Sequence, residues 1–136
     1  MLEDDMALRL VLTSALEQDG HGVLQCGTNE DALSCLTRCN VELLVLDLMV
    51  GNSTSLSVAS FAAHAVPSAE VIIVTGSDHY PHGELHAQSQ NISWSLRKPI
   101  RMEDLRALAQ YAEHRRVARL GSVAPGAGTG QQVSPP

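Results

Sequence analysis

The sequence predicts an α/β fold built on a parallel sheet. Three observations carry that prediction. Helix-like and strand-like periodicities alternate along the chain. Two runs, 43–46 and 71–74, are unbroken aliphatic stretches, as strands covered on both faces must be. The clean strand ends carry polar residues of different kinds: Asp47, Thr75 and Lys98.

Taken in order, residues 6–19 place Leu8, Val11, Leu12, Ala15 and Leu16 on one helical face. Asp4 or Asp5 can cap the start of that helix, and Gly20 ends it. Residues 23–26 are a short apolar run, expected as a strand. Thr28 or Asn29 caps a second helix, with Glu30 and Asp31 in its first turn and Ala32, Leu33 and Leu36 inward. Residues 41–46 are expected as a buried strand. A weaker helix follows over 53–65, with Leu56, Ala59 and Ala63 on one side and Pro67 as its stop. Residues 71–74 form another buried strand. Residues 77–91 are polar and histidine-rich, with a short helix expected near 84–88. Residues 92–96 alternate as a strand, and 102–116 form the last helix, with Leu105, Leu108, Ala109 and Ala112 inward. Its acidic start (Glu103, Asp104) and basic end (Arg115, Arg116) suit the helix dipole. Residues 121–136 lack periodicity and hold four Gly and three Pro, so a disordered tail is expected. The domain is therefore drawn at 1–119 and the tail at 120–136.

Composition narrows the function. With 136 residues, 44% of them hydrophobic, the chain has material for one globular core. Aromatics are only 3%, which leaves the core to Leu, Val, Ile and Ala. A net charge of -6 argues against a nucleic-acid surface. No apolar run approaches a membrane span, and no basic-then-apolar leader opens the sequence. Cys26, Cys35 and Cys39 are odd in number and lack C-x-x-C spacing, which suits reduced thiols and a cytoplasmic setting. Small buried thiols are the expected reading, with a metal or redox pair as the alternative.

Ligands of parallel α/β sheets bind beyond the carboxyl ends of the strands. Those ends hold Glu3-Asp4-Asp5 before the first helix, Asp47, Thr75, and Lys98-Pro99. Clustered carboxylates need a cation, and hard oxygen donors suit Mg²⁺. A hydroxyl and an ammonium suit phosphate oxygens. Lys98 is the single lysine beside eight arginines, a compositional hint of a specific task.

The segments Leu-Glu-Asp-Asp at 2–5, Glu-Leu-Leu-Val-Leu-Asp-Leu-Met-Val at 42–50, Val-Ile-Ile-Val-Thr-Gly at 71–76 and Leu-Arg-Lys-Pro-Ile at 96–100 occur in order. In this the chain resembles the receiver domain of two-component response regulators over residues 1 to about 116. The resemblance implies a doubly wound, flavodoxin-like (βα)5 sheet of order 2-1-3-4-5. It implies that Asp47 accepts a phosphoryl group from a histidine kinase or phosphotransfer protein. It implies that Glu3, Asp4, Asp47 and the backbone carbonyl of Met49 hold Mg²⁺. It further implies that Thr75 and Lys98 contact phosphoryl oxygens, and that Gly76 leaves room beside them. Such a chain is a signalling module, not an enzyme with turnover, and works by protein contact. A homodimer is compatible with it. Direct nucleic-acid or membrane binding is not implied.

The sequence departs from the family in three places. The first strand is apparently truncated to Met1 and Leu2, which favours an upstream start. The loop 50–55 lacks the family's Pro and later Asp-Gly. The switch position three before the lysine is Ser95, with Trp94 one earlier, so a readout through the segment 76–91 is expected instead. His79, His82 and His86 are read as a solvated surface, with a metal site as the alternative. Two other readings are a degenerate receiver acting as a phosphorylation-independent binding module, and a receiver fragment of a larger hybrid or effector protein. An aspartate-nucleophile phosphatase would need a second Asp two positions on, where Met49 stands.

Overall fold

A computed structural model describes residues 1–76 and 91–123. The expected helix near 84–88, the histidines 79, 82 and 86, and the tail beyond 123 lie outside those residues. The elements are α1 (Met6–Gln18), α2 (Asn29–Arg38), β1 (Leu43–Asp47), β2 (Met49–Val50), β3 (Ser53–Thr54), α3 (Leu56–Ala65), β4 (Glu70–Thr75), β5 (Ile92–Arg97) and α4 (Met102–Val123).

β1, β4 and β5 form a parallel sheet in that order, with Leu44 opposite Val71 and Val74 opposite Leu96. Side chains alternate across it, and each face is buried by a different helix pair. Leu44, Leu46, Val71, Ile73 and Ile92 meet Ala32 and Leu36 of α2 and Val58, Ala59 and Ala62 of α3. Val45, Ile72 and Val74 meet Leu12 and Leu16 of α1 and Leu105 and Ala109 of α4. This two-faced burial is why the β1 and β4 runs carry no polar alternation. The result is a doubly wound α/β sandwich, as expected.

In place of a first strand, one residue, Leu2, bridges its two neighbours. Leu2 bridges in parallel to Cys26 on one side and to Leu46 on the other. Leu2 N–H donates to the Val45 carbonyl at 2.8 Å, and Asp47 N–H to the Leu2 carbonyl at 2.9 Å. On the opposite side Cys26 N–H donates to the Met1 carbonyl at 2.8 Å, and Glu3 N–H to the Cys26 carbonyl at 3.1 Å. The spatial order is thus Cys26, Leu2, β1, β4, β5, the order 2-1-3-4-5. The strand is as short as the sequence indicates, yet four backbone bonds hold Met1, Leu2 and Glu3 between their two neighbours. Below them lies a cavity of about 300 Å³, walled by Leu16, Val23, Leu36, Leu44 and Ala112 among others. Met1 is among its lining residues; the Met1 ammonium donates to the Leu24 carbonyl at 3.0 Å, and burial lowers its pKa.

Other boundaries also moved. Residues 23–26 make a single bridge, at Cys26, rather than a strand. Ser53 and Thr54, expected in a helix, pair with Met49 and Val50 as a hairpin, and α3 starts at Leu56. Gly51, at φ 61°, supplies the left-handed turn residue that the hairpin requires. α4 runs past the expected end at Arg116 to Val123. The reason is electrostatic docking: Arg115 Nε and Arg119 Nη1 both reach buried Glu70 Oε2, at 3.3 and 3.1 Å. These two arginines sit one turn apart, so helix must persist between them. Ser93, the extra residue at a β-bulge in β5, donates to the other Glu70 oxygen at 2.5 Å. Among the described residues no helix is long and apolar enough to cross a membrane.

Candidate functional site

The site forms where the strands end. Asp5, not Asp4, caps α1, accepting from Leu8 N–H at 3.2 Å. That division frees the two preceding carboxylates. Glu3 is carried inward by the Leu2 ladder and is 2% exposed. Its Oε2 accepts from Asp5 N–H at 3.1 Å. Asp4 stays at the surface, where its Oδ2 accepts from Gly51 N–H in the hairpin turn at 2.9 Å. Asp47 closes β1 and is buried. Carboxylate oxygens of Glu3, Asp4 and Asp47 all lie within 4.8 Å of one another.

Among the described residues one side-chain cation, Lys98, pairs with these carboxylates. Lys98, just beyond β5, places Nζ 3.0 Å from Asp47 Oδ2 and 3.2 Å from Glu3 Oε1. Its backbone N–H donates to the Thr75 carbonyl at 2.9 Å, which fixes the lysine beside the end of β4. The Lys98–Pro99 peptide bond is cis. Thr75 itself is buried at the same edge. A Cβ at Gly76 would lie 3.8 Å from Lys98 Cδ, an ordinary contact, so Gly76 borders the lysine without glycine being required there. Met49 opens the hairpin two residues beyond Asp47, with a side chain 44% exposed.

The electrostatics follow from this crowding. Burial raises the Glu3 pKa, and the neighbouring Asp47 carboxylate adds to the rise; the Asp5 amide and Lys98 oppose it. The Gly51 amide holds Asp4 low. Burial works against the Lys98 ammonium, yet Asp47 and Glu3 outweigh it and its pKa is raised. Among the described residues three carboxylates face one ammonium, a formal charge of about -2 with all four ionised. A divalent cation with oxygen preference fits this donor set.

Every site residue within the described chain that the sequence singled out lies at this one end of the sheet. Two contributors escaped the sequence. Arg9 on α1 donates from Nη1 to the Glu3 carbonyl at 2.8 Å and steadies the acidic turn. Asn29, at the start of α2, donates to the Thr54 carbonyl at 3.1 Å and anchors the hairpin beside Asp47. Neither carries a local signal, since each acts on backbone brought near by the fold. Trp94 lies with the α1–α4 face, edge-on to Tyr111 at 5.8 Å, with Arg115 over its ring at 5.3 Å. Ser95 is exposed.

A parallel sheet wrapped on both faces, with acids and a lysine gathered at its carboxyl end, defines a doubly wound α/β protein with a cluster of charged side chains at the strand ends. Its fold is that of response-regulator receiver domains. A signal receiver domain of a putative Luxo repressor protein from Vibrio parahaemolyticus is similar at TM-score 0.77 and 20% identity, over 92% of this chain and 94% of that one. A CheY-like receiver domain from Methanospirillum hungatei JF-1 is similar at TM-score 0.72 and 20% identity, over 89% and 94%. A response regulator from Burkholderia pseudomallei, solved with a phosphorylated aspartic acid, calcium ion and citrate, is similar at TM-score 0.68 and 24% identity, over 90% and 72%. No family model and no curated protein matches the sequence.

Proposed function

We propose that the chain is the phospho-acceptor of a two-component phosphorelay, taking a phosphoryl group on Asp47. The observation that carries this reading is the Asp47 carboxylate itself. It is buried at the end of β1, held by Lys98 at 3.0 Å, and faced by Glu3 and Asp4. An isolated buried carboxylate so placed has no structural need of two more acids beside it.

In this reading the donor is a phosphohistidine on a kinase or phosphotransfer protein. A carboxylate oxygen of Asp47 attacks phosphorus, the P–N bond breaks, and its electron pair stays with the imidazole. An acyl phosphate on Asp47 results. Lys98 loses its hold on the neutralised carboxylate and moves to a phosphoryl oxygen, where a point charge is most useful. Thr75 offers a hydroxyl at the same edge. Glu3, Asp4, Asp47 and the Met49 carbonyl would hold Mg²⁺, which supplies charge neutralisation for the transferring group. Glu3 is kept inward by its Asp5 amide bond, and Asp4 by the hairpin turn, so the residues are placed before the donor arrives. Output then passes by protein contact in the cytoplasm, with no turnover of a separate substrate.

The test is incubation with a small acyl phosphate and Mg²⁺, followed by intact mass. The wild-type chain gains one phosphoryl group and Asp47→Asn gains none while keeping its circular dichroism. Labelling that persists in Asp47→Asn overturns the assignment.

A further inference from the structure

Two thiols are left unused by this chemistry. Cys26, at the bridge to Leu2, and Cys35, on α2, bring their sulfurs to 3.6 Å. Cys26 is buried, Cys35 is half-buried, and both are free. Both line the 300 Å³ cavity beneath Met1. Among the described residues this is the one sulfur–sulfur contact, although Cys35 and Cys39 are the pair a helical spacing would suggest. A disulfide needs about 2.05 Å between sulfurs, so the pair must close by roughly 1.5 Å.

We propose that Cys26 and Cys35 are a reversible oxidation site, closing to a disulfide when the protein meets a peroxide. Cys35, the more exposed, reacts first: its thiolate sulfur attacks a peroxide oxygen, the O–O bond breaks, and hydroxide leaves. The Cys26 sulfur then attacks the resulting sulfenic sulfur. The S–O bond breaks, and the hydroxyl departs as water with the Cys26 proton. In sum, two thiols and one hydrogen peroxide give one disulfide and two waters. The sulfurs lose two electrons and the peroxide gains them. A dithiol reverses the step by exchange.

The bridge ties α2 to the segment on which the amino-terminal residues hang. Cys26 N–H is held by the Met1 carbonyl, and its carbonyl by Glu3 N–H. Oxidation therefore fixes the backbone immediately behind the acidic pair. The same cavity is lined by Met1, Val23 and Leu24, next to the bridge.

The experiment treats the whole chain with hydrogen peroxide, then alkylates it under denaturing conditions and measures intact mass. One alkylatable thiol, Cys39, is expected. Cleavage at Glu30, between the two cysteines, should leave their fragments joined until dithiothreitol is added. Cys39→Ser should give the same joined fragments with no alkylatable thiol left, whereas Cys35→Ser should leave Cys26 and Cys39 alkylatable. Slower amide exchange at Cys26 and Glu3 in the oxidised chain is the structural readout. Three alkylatable thiols after peroxide, a bridge that includes Cys39, or a sulfinic acid on Cys35 with Cys26 still free each overturns the proposal.

Discussion

Replacing Lys98 by Met tests the electrostatic account of the site most directly. The substitution keeps an unbranched stem of similar length and removes only the charge and its donors. Asp47 and Glu3 lose contacts of 3.0 and 3.2 Å and are left facing each other. Breaking a fully buried pair by removing one partner costs about 3–5 kcal/mol. An exposed pair contributes at most about 1 kcal/mol. The Lys98 side chain is 31% exposed while its partners are nearly sealed, so a loss of about 2 kcal/mol is expected. The pH dependence follows from the Glu3 shift. Its folded pKa is already raised, and loss of the ammonium raises it further. Between the ordinary carboxylate value and that raised value the native state binds more protons than the unfolded one. The variant should therefore gain stability as pH falls through that window. Urea unfolding at several pH values, with and without Mg²⁺, reads all of this. Mg²⁺ at a hundred times its dissociation constant should add about 2.7 kcal/mol, enough to offset the loss. Lys98→Met/Glu3→Gln should recover much of the loss, because one of the two facing carboxylates is gone. A Lys98→Met chain as stable as wild type, flat in pH and indifferent to Mg²⁺, would refute the reasoning.

Three further outcomes are expected. Glu70→Ala should destabilise the chain by about 2 kcal/mol and fray the end of α4, because Arg115 and Arg119 lose their shared buried acceptor; amide exchange over 115–123 that matches wild type would count against the docking account. Three aliphatic residues fused ahead of Met1 should fill the 300 Å³ cavity and turn the buried Met1 ammonium into an amide. Burial of two side chains at 1.5–3 kcal/mol each, plus new ladder bonds, less the ordering of three residues, leaves a gain of about 2 kcal/mol; a Gly-Ser extension that stabilises equally would show that filling is irrelevant. Trp94 fluorescence should change little on phosphorylation, since its ring is held by Tyr111 and Arg115 on the α1–α4 face; a large quench would place that aromatic on the signalling route.

Much of the molecule is legible in the sequence because its signals are local. The aliphatic runs of β1 and β4 dictate strands covered on both faces, and so a parallel sheet with helices on either side. Polar residues that close such runs must gather at one edge, which is why Glu3, Asp4, Asp47, Thr75 and Lys98 could be named together. Caps such as Thr28 are similarly local, with its side chain accepting from Asp31 N–H at 3.1 Å.

What the tertiary structure decided depends on partners distant in the chain. Only folding assigns the cap to Asp5 and leaves Asp4 to the hairpin, because the deciding donor, Gly51 N–H, is 47 residues away. Only folding seats the shortened first strand, since a single bridging residue is held when four backbone bonds from two neighbours grip Met1 to Glu3. α4 outruns its sequence signal because Glu70 rewards its last turns with ion pairs that no local propensity encodes. The pairing of Cys26 with Cys35, rather than Cys35 with Cys39, has the same origin. Helical spacing is a property of the chain, whereas a 3.6 Å contact between an element's face and its neighbour's edge is a property of packing alone.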